Sequence, residues 1–227
     1  MTATRKGRRS AALSRERIVE AAVELLDSGG ESALTFRVLT ERLATGPGAI
    51  YWHVANKDEL LAVATDGVVA DALAVGSEQS PAGPEDELRA VALGLYEAIA
   101  AHPWLGGQLS RQFTRNGPVV PRIYESIGRR VRALGVPEAT WFVTTSVLVH
   151  YVLGAAGQNA ANSASARTSA DGANRADFLD AVSTAWEELD PDEYSFARAI
   201  AGQMRDHDDR EQFLAGIDLV LAGLRLS

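Results

Sequence analysis

Residues 34–61 read LTFRVLTERLATGPGAIYWHVANKDELL, and their pattern decides the fold. Thr35 can cap a helix with its hydroxyl. Phe36, Leu39 and Leu43 recur at i, i+3 and i+7, one face of an α-helix. That pattern breaks at Ala44-Thr45-Gly46, and Pro47 suits the first position of a new helix. Ile50 and Val54, four apart, both face inward in such a helix. Tyr51, Trp52 and His53 lie between them, about 100° apart in succession, so at least one must point outward. Asn56 and Glu59 then fit a capping box that opens a further helix.

Two short helices joined by a tight turn form a helix-turn-helix, whose second helix enters the major groove of DNA. The segment resembles the DNA-binding motif of the TetR family of transcriptional regulators. The resemblance is carried by Leu34-Thr35, Leu39, Leu43, the run from Pro47 to Val54, and Asn56-Lys57-Asp58-Glu59-Leu60-Leu61. The Tyr51-Trp52-His53 triplet followed by Asn56-Lys57 is similar to the tetracycline-repressor branch. Specific similarity spans roughly residues 14–62; beyond that it is one of layout. The sequence departs from the family twice, with Thr40 where a small residue is usual and Ala44 where glycine is usual. Either Ala44 adopts a left-handed conformation, at a cost on the order of 1 kcal/mol, or the turn is redrawn around Gly46.

The resemblance implies phosphate contacts from Thr35, Arg37, Tyr51, His53 and Lys57. Base reading falls to residues 46–52, and the DNA-binding set is completed by Thr45, Gly46, Pro47, Gly48, Ala49 and Trp52. Lys57 opens a helix, where a cation is disfavoured by about 0.3–1 kcal/mol, a cost that a nearby phosphate would offset.

Charge supports the same partner. The chain of 227 residues carries a net charge of −8, yet residues 1–17 hold six Lys/Arg against Glu16 alone. A basic end on an acidic protein suits a polyanion approached from one side. Residues 1–12 are expected to be a flexible basic arm, residues 13–62 the DNA-binding domain, and residues 63–227 a helical effector and dimerisation domain. Cysteine is absent, which excludes disulfides and thiolate sites and fits a cytoplasmic protein. No run of 18 apolar residues and no signal-peptide pattern occurs, so no membrane association is expected.

In the head, Ser14 caps a helix, Leu13 and Ile18 form a staple, and Ile18, Ala22 and Leu25 make its buried stripe, which Gly29-Gly30 end. A helix from Lys57 to about Val75 connects to the remainder, through a joint at Ser77–Pro84. Val63, Val68 and Leu73 on it can pack on the second domain, which makes it the lever between effector and DNA. From Glu85 onward the pattern stays helical, with Pro103, Pro118, Pro137 and Pro191 near helix starts and Gly135 at a helix stop. The expected fold is therefore all-α. Trp141 to Ala156 is apolar nearly all round and should be buried on several sides. The last helix, about 209–224, should bury Phe213, Ile217, Val220 and Leu224. Asn159 to Ala176 is polar, rich in small residues, and expected to be a disordered loop.

By resemblance in layout, helices 138–157 and 209–225 would form a homodimer, through Val147, Gly154, Phe213, Gly216, Ile217, Val220, Gly223 and Leu224. An intramolecular core is the alternative. The family places a small-molecule pocket in this region. Candidate lining residues are Trp104, Phe113, Trp141, Phe142, Tyr151 and Trp186, with Gln108 and His150 as polar anchors; plain core packing is the alternative for each.

Enzyme readings find no support. None of His53, His102, His150 and His207 falls in an HExxH, and no phosphate loop or nucleophile elbow occurs. Asp206-His207-Asp208-Asp209 reads as a turn capping the last helix rather than a metal site, and no cofactor is expected; the tetracycline-repressor branch holds a metal-bound drug, but neither His102 nor His150 matches a ligand position residue by residue, so no metal is assigned. The sequence points to a repressor that binds a palindromic operator as a homodimer and is released by an effector it does not identify. The alternatives are an activator, or an all-α binding or enzymatic module with a vestigial head.

Overall fold

The computed structural model describes residues 13–78, 83–115, 117–168, 175–205 and 207–225. The expected basic arm 1–12, the middle of the joint at 79–82, and residues 169–174 of the expected loop lie outside the described residues. Among the described residues there are helices and turns and no strand. The chain divides into two compact units between Gly67 and Val68.

The first unit opens with α1, Arg15–Ala33, capped by the Ser14 hydroxyl, which accepts from Arg17 N at 3.3 Å. Gly29 and Gly30 leave helical geometry, and Gly30 sits at φ +64°, where a Cβ would be strained. The glycines therefore kink α1 rather than end it. Ile18, Ala22 and Leu25 are buried together with Leu34, Leu39 and Ile50. α2, Phe36–Leu43, packs on α1, and α3, Pro47–Tyr51, packs on α2. α4, Lys57–Glu78, starts in the first unit and continues into the second.

The second unit is built on α5, Pro84–Ala101, whose Leu88, Val91, Leu95 and Ile99 are buried at spacings of three and four. Around it lie α6 (Trp104–Arg115), α7 (Val119–Ala133), α8 (Trp141–Thr168) and α11 (Asp209–Leu224). α9, Arg175–Glu187, pairs with α10, Ser195–Ala201. Gly94 allows α5 to cross close to α4, since a Cβ there would run into the carbonyl of Ala72. Gly135, at φ +79°, ends α7.

Three further expectations change. Residues 159–168 are helical, not loop: α8 runs on to Thr168. Asn and Ser are poor helix formers, but propensity yields to packing, and Val152 and Ala156 tie this helix into the core. α8 is also not buried all round, since Phe142, Val143 and Val147 are exposed. α11 buries Phe213, Ile217 and Leu221, while Val220 and Leu224 are only half-buried, because the inward stripe advances by four residues. The segment Glu138–Ser163, whose most apolar 18 residues have a mean hydropathy of 1.3, is by length and composition apolar enough to cross a membrane. Here Leu148, Val149 and Val152 on it are buried, and α8 packs on α5 and α7.

Candidate nucleic-acid interface and effector cavity

Local capping builds the first site. The Thr35 hydroxyl accepts from Val38 N at 3.2 Å and starts α2. Its far end closes with Thr45 N donating to Thr40 O at 3.1 Å and Ala44 N to Glu41 O at 3.3 Å, the Schellman pairing. Ala44 stands in the left-handed region at φ 50°, ψ 47°. The alanine therefore carries the strain, and Gly46, at φ −87°, is not used to redraw the turn. Thr40 is buried and returns its hydroxyl to Arg37 O at 2.7 Å, so the larger residue is accommodated without stranding a donor.

The helix pair then aims its side chains. Ile50 and Val54 are buried, which turns Tyr51 and Trp52 outward, 53% and 89% exposed. Phe36 stacks on Tyr51 with ring centroids 4.7 Å apart and planes 7° apart. This stack sets the end of α3 beside the start of α2, whose leading N–H groups favour an anion. Thr35, Arg37, Gly46, Pro47 and Gly48 are exposed; Thr45, Ala49, His53 and Lys57 are half-buried. Arg37 pairs with Glu41 at 3.3 Å across solvent, a contact worth little. The capping box at α4 is present in a shifted form: Glu59 N donates to Asn56 Oδ1 and Ala55 N to Glu59 Oε2, both at 2.8 Å. Lys57 Nζ donates to Glu31 O at 2.5 Å. Its position at a helix start thus has a structural reason besides the expected phosphate, tying α4 to the end of α1.

The second site is a cavity of about 740 Å³ inside the second unit. Tyr96, Tyr151, Asn159, Arg175, Phe178 and Phe213 are among its lining. Phe213 stacks with Tyr96 at 4.5 Å and with Tyr151 at 5.6 Å. Tyr151 Oη donates to Phe213 O at 3.0 Å. Burial pushes the phenol of Tyr151 up; burial and the nearby Asp209 and Asp208 carboxylates push that of Tyr96 up. At the rim Arg175 pairs with Asp209 at 2.6 Å, and His207 Nε2 lies 2.9 Å from the same carboxylate oxygen.

Of the expected pocket residues only Tyr151 lines this cavity. Trp104 and Gln108 are buried in α6, and Phe113 is half-buried with its ring 6.3 Å from that of Tyr124. Trp141 donates its indole N–H to Val136 O at 2.7 Å, and with Phe142 it borders a smaller cavity of about 260 Å³. His150 is exposed and Trp186 half-buried, both away from the large cavity. Tyr96, Asn159, Arg175 and Phe213 were missed; they lie on four different helices, and no local spacing relates them. Among the described residues no cluster of three His, Asp or Glu side chains is placed to hold a metal.

The expected dimer residues also separate. Phe213 and Ile217 are spent on the chain's own core. Gly216 accommodates Tyr151 of the same chain, since a Cβ there would meet the Tyr151 hydroxyl. Val147, Gly154 and Gly223 are exposed, and Val220 and Leu224 half-buried.

Comparison with known proteins places both units. A family model described as "Bacterial regulatory proteins, tetR family" matches residues 18–64, and "Tetracyclin repressor-like, C-terminal domain" matches residues 80–227. An HTH-type transcriptional regulator of Saccharopolyspora erythraea is 31% identical over 142 residues, covering 63% of this chain and 59% of that protein. The HTH-type transcriptional repressor DrrR1 of Streptomyces coeruleorubidus is 29% identical over 149 residues, covering 63% of this chain and 53% of its own. The chain thus spans only between half and three fifths of the length of these curated relatives. Among solved structures, the Streptomyces coelicolor TetR regulator SCO7222 is 62% identical with a TM-score of 0.85, over 94% of this chain and 98% of that one.

Proposed function

The chain belongs to the TetR family of helix-turn-helix transcriptional regulators, and on that premise we propose that it is a repressor, binding an inverted-repeat operator as a homodimer and released by a small molecule. The carrying observation is Trp52, an indole 89% exposed at the C-terminal end of the recognition helix α3, which it closes. A large apolar side chain left in water at that position reads as a contact surface, here the base edges of a major groove. Thr35, Arg37, Tyr51, His53 and Lys57 supply the phosphate contacts around it. The relative DrrR1 is a transcriptional repressor, which supports the sign of regulation.

The homodimer forms through the outward faces of α8 and α11. Phe142 and Leu219 are 74% and 76% exposed, with Val143 and Val147 beside Phe142 on α8. A second copy would cover them, and two recognition helices would then meet half-sites about one helical turn apart. α4, one continuous helix from Lys57 to Glu78, is the lever between effector and operator. An effector that lowers operator affinity 10- to 1,000-fold needs about 1.4–4 kcal/mol of preference for the non-binding state. Such a protein acts in the cytoplasm, where the operator is.

The test is selection from a random pool of duplex DNA, followed by sedimentation of the complex. The expected result is an enriched inverted repeat bound by two copies, with affinity falling steeply as salt rises. A pool without enrichment would overturn the reading.

A further inference from the structure

We propose that Phe36 is a positioning residue of the DNA-binding surface: its ring, stacked on Tyr51, holds that phenol in place for a phosphate before DNA arrives. This rests on the reading of Tyr51 as a phosphate contact.

Three observations select Phe36. The first is its departure from the helical stripe. Spacing from Leu39 and Leu43 would turn Phe36 inward, and Leu39 is fully buried. Phe36 is only half-buried and lies face to face with Tyr51, with ring centroids 4.7 Å apart and planes 7° apart.

The second is exposure. A ring pair inside a core is shielded on all sides, whereas Tyr51 is 53% exposed, so this pair stays partly in water. No hydrogen bond to the Tyr51 hydroxyl occurs among the described residues, which leaves the group open to an outside acceptor. A phosphate oxygen is such an acceptor.

The third is what else holds the phenol. α3 has five residues, too few to be stable alone. Its closing hydrogen bonds, from Trp52 N to Gly48 O at 3.3 Å and from Val54 N to Ile50 O at 3.1 Å, fix the backbone only. Ile50 and Val54 anchor its inner side. None of these contacts sets the Tyr51 side chain; the Phe36 ring, which comes from α2, does. A tyrosine left free loses side-chain freedom on meeting DNA, at a cost in affinity, and the stack removes that freedom in advance.

The experiment measures anisotropy of labelled duplexes, the selected operator and a scrambled one, with the full chain, Phe36→Leu, Phe36→Tyr, Tyr51→Phe and the double variant Phe36→Leu/Tyr51→Phe. Phe36→Leu keeps apolar bulk and loses the ring. It is expected to weaken both duplexes about 2- to 12-fold, the size of one aromatic pair. Phe36→Tyr, which keeps a ring, should bind as the unaltered chain does. Once Tyr51→Phe has removed the hydroxyl, Phe36→Leu should add little further loss. Full additivity of the two losses would overturn the proposal. Weakening by Tyr51→Phe without weakening by Phe36→Leu would overturn the positioning role and leave the phosphate contact standing. Tyr51→Phe without effect would remove the contact, and the proposal with it. A measurement on the unaltered chain needs no variant and stands if Phe36→Leu fails to fold: the χ1 couplings of Tyr51 by NMR should show one rotamer in the free chain, kept when operator is added. Averaging over several rotamers in the free chain would overturn the proposal.

Discussion

The two candidate sites are built in opposite ways. The candidate DNA-binding surface uses neighbours in sequence, from Thr35 to Lys57, set by caps and turns within a few residues of one another. The cavity uses residues from Tyr96 to Leu219, brought together only by packing of α5, α8, α9 and α11. A locally built site keeps its shape as long as its own short helices form. A site assembled from distant helices depends on the whole bundle, and a change at one helix reaches it from elsewhere.

Perturbing the bundle should therefore have the largest effect. Phe213, 2% exposed and stacked on both tyrosines, is its shared element. Phe213→Ala is expected to cost about 3–5 kcal/mol, seen in chemical denaturation as an earlier loss of the second unit while the first keeps its own transition. One unshifted transition for the whole chain would mean that Phe213 is not the keystone.

Gly216→Ala comes next. The new methyl must displace the Tyr151 ring and break its bond to Phe213 O. Overpacking of this kind costs about 1–3 kcal/mol, and it should lower the melting temperature of the second unit. An unchanged melting temperature would mean that Tyr151 gives way without loss.

In the local site the expected changes are smaller, and one is a gain. Ala44→Gly relieves a left-handed alanine at φ 50° and should stabilise the first unit by about 0.5–1 kcal/mol. A decrease in its melting temperature would show that the Schellman turn tolerates alanine without strain. Lys57→Ala distinguishes two roles. If the ammonium meets a phosphate as well as Glu31 O, the slope of log affinity against log salt falls by roughly one unit. A lowered melting temperature with an unchanged slope would leave Lys57 as a tie between α1 and α4 only.

The same contrast explains what could be read from the sequence. Thr35, Pro47, Ile50, Val54 and Asn56 disclose the helix-turn-helix because caps, proline and i, i+4 burial act over one or two turns. Even the uncertain turn at Ala44 was reducible to two local alternatives. The cavity had no such signature. Asn159 looked like the start of a loop, since nothing near it in sequence shows that Tyr96, 63 residues away, receives its amide. Gly216 looked like a surface for a partner helix, and it proved to be the seat of Tyr151. Aromatic residues in α6 and at the start of α8 were equally plausible pocket walls. Only the packing of the bundle decides among them.

The central claim is that the exposed face of α3 reads DNA, and Trp52 tests it most directly. Affinities of the full chain and of Trp52→Ala would be measured by fluorescence anisotropy for the selected operator, for single-base variants of it, and for a scrambled duplex. The account predicts that Trp52→Ala alters the preference among operator variants by about 1–3 kcal/mol per affected base pair, with the melting temperature and scrambled-duplex affinity unchanged. Retained preference, or a head that unfolds without Trp52, would contradict it.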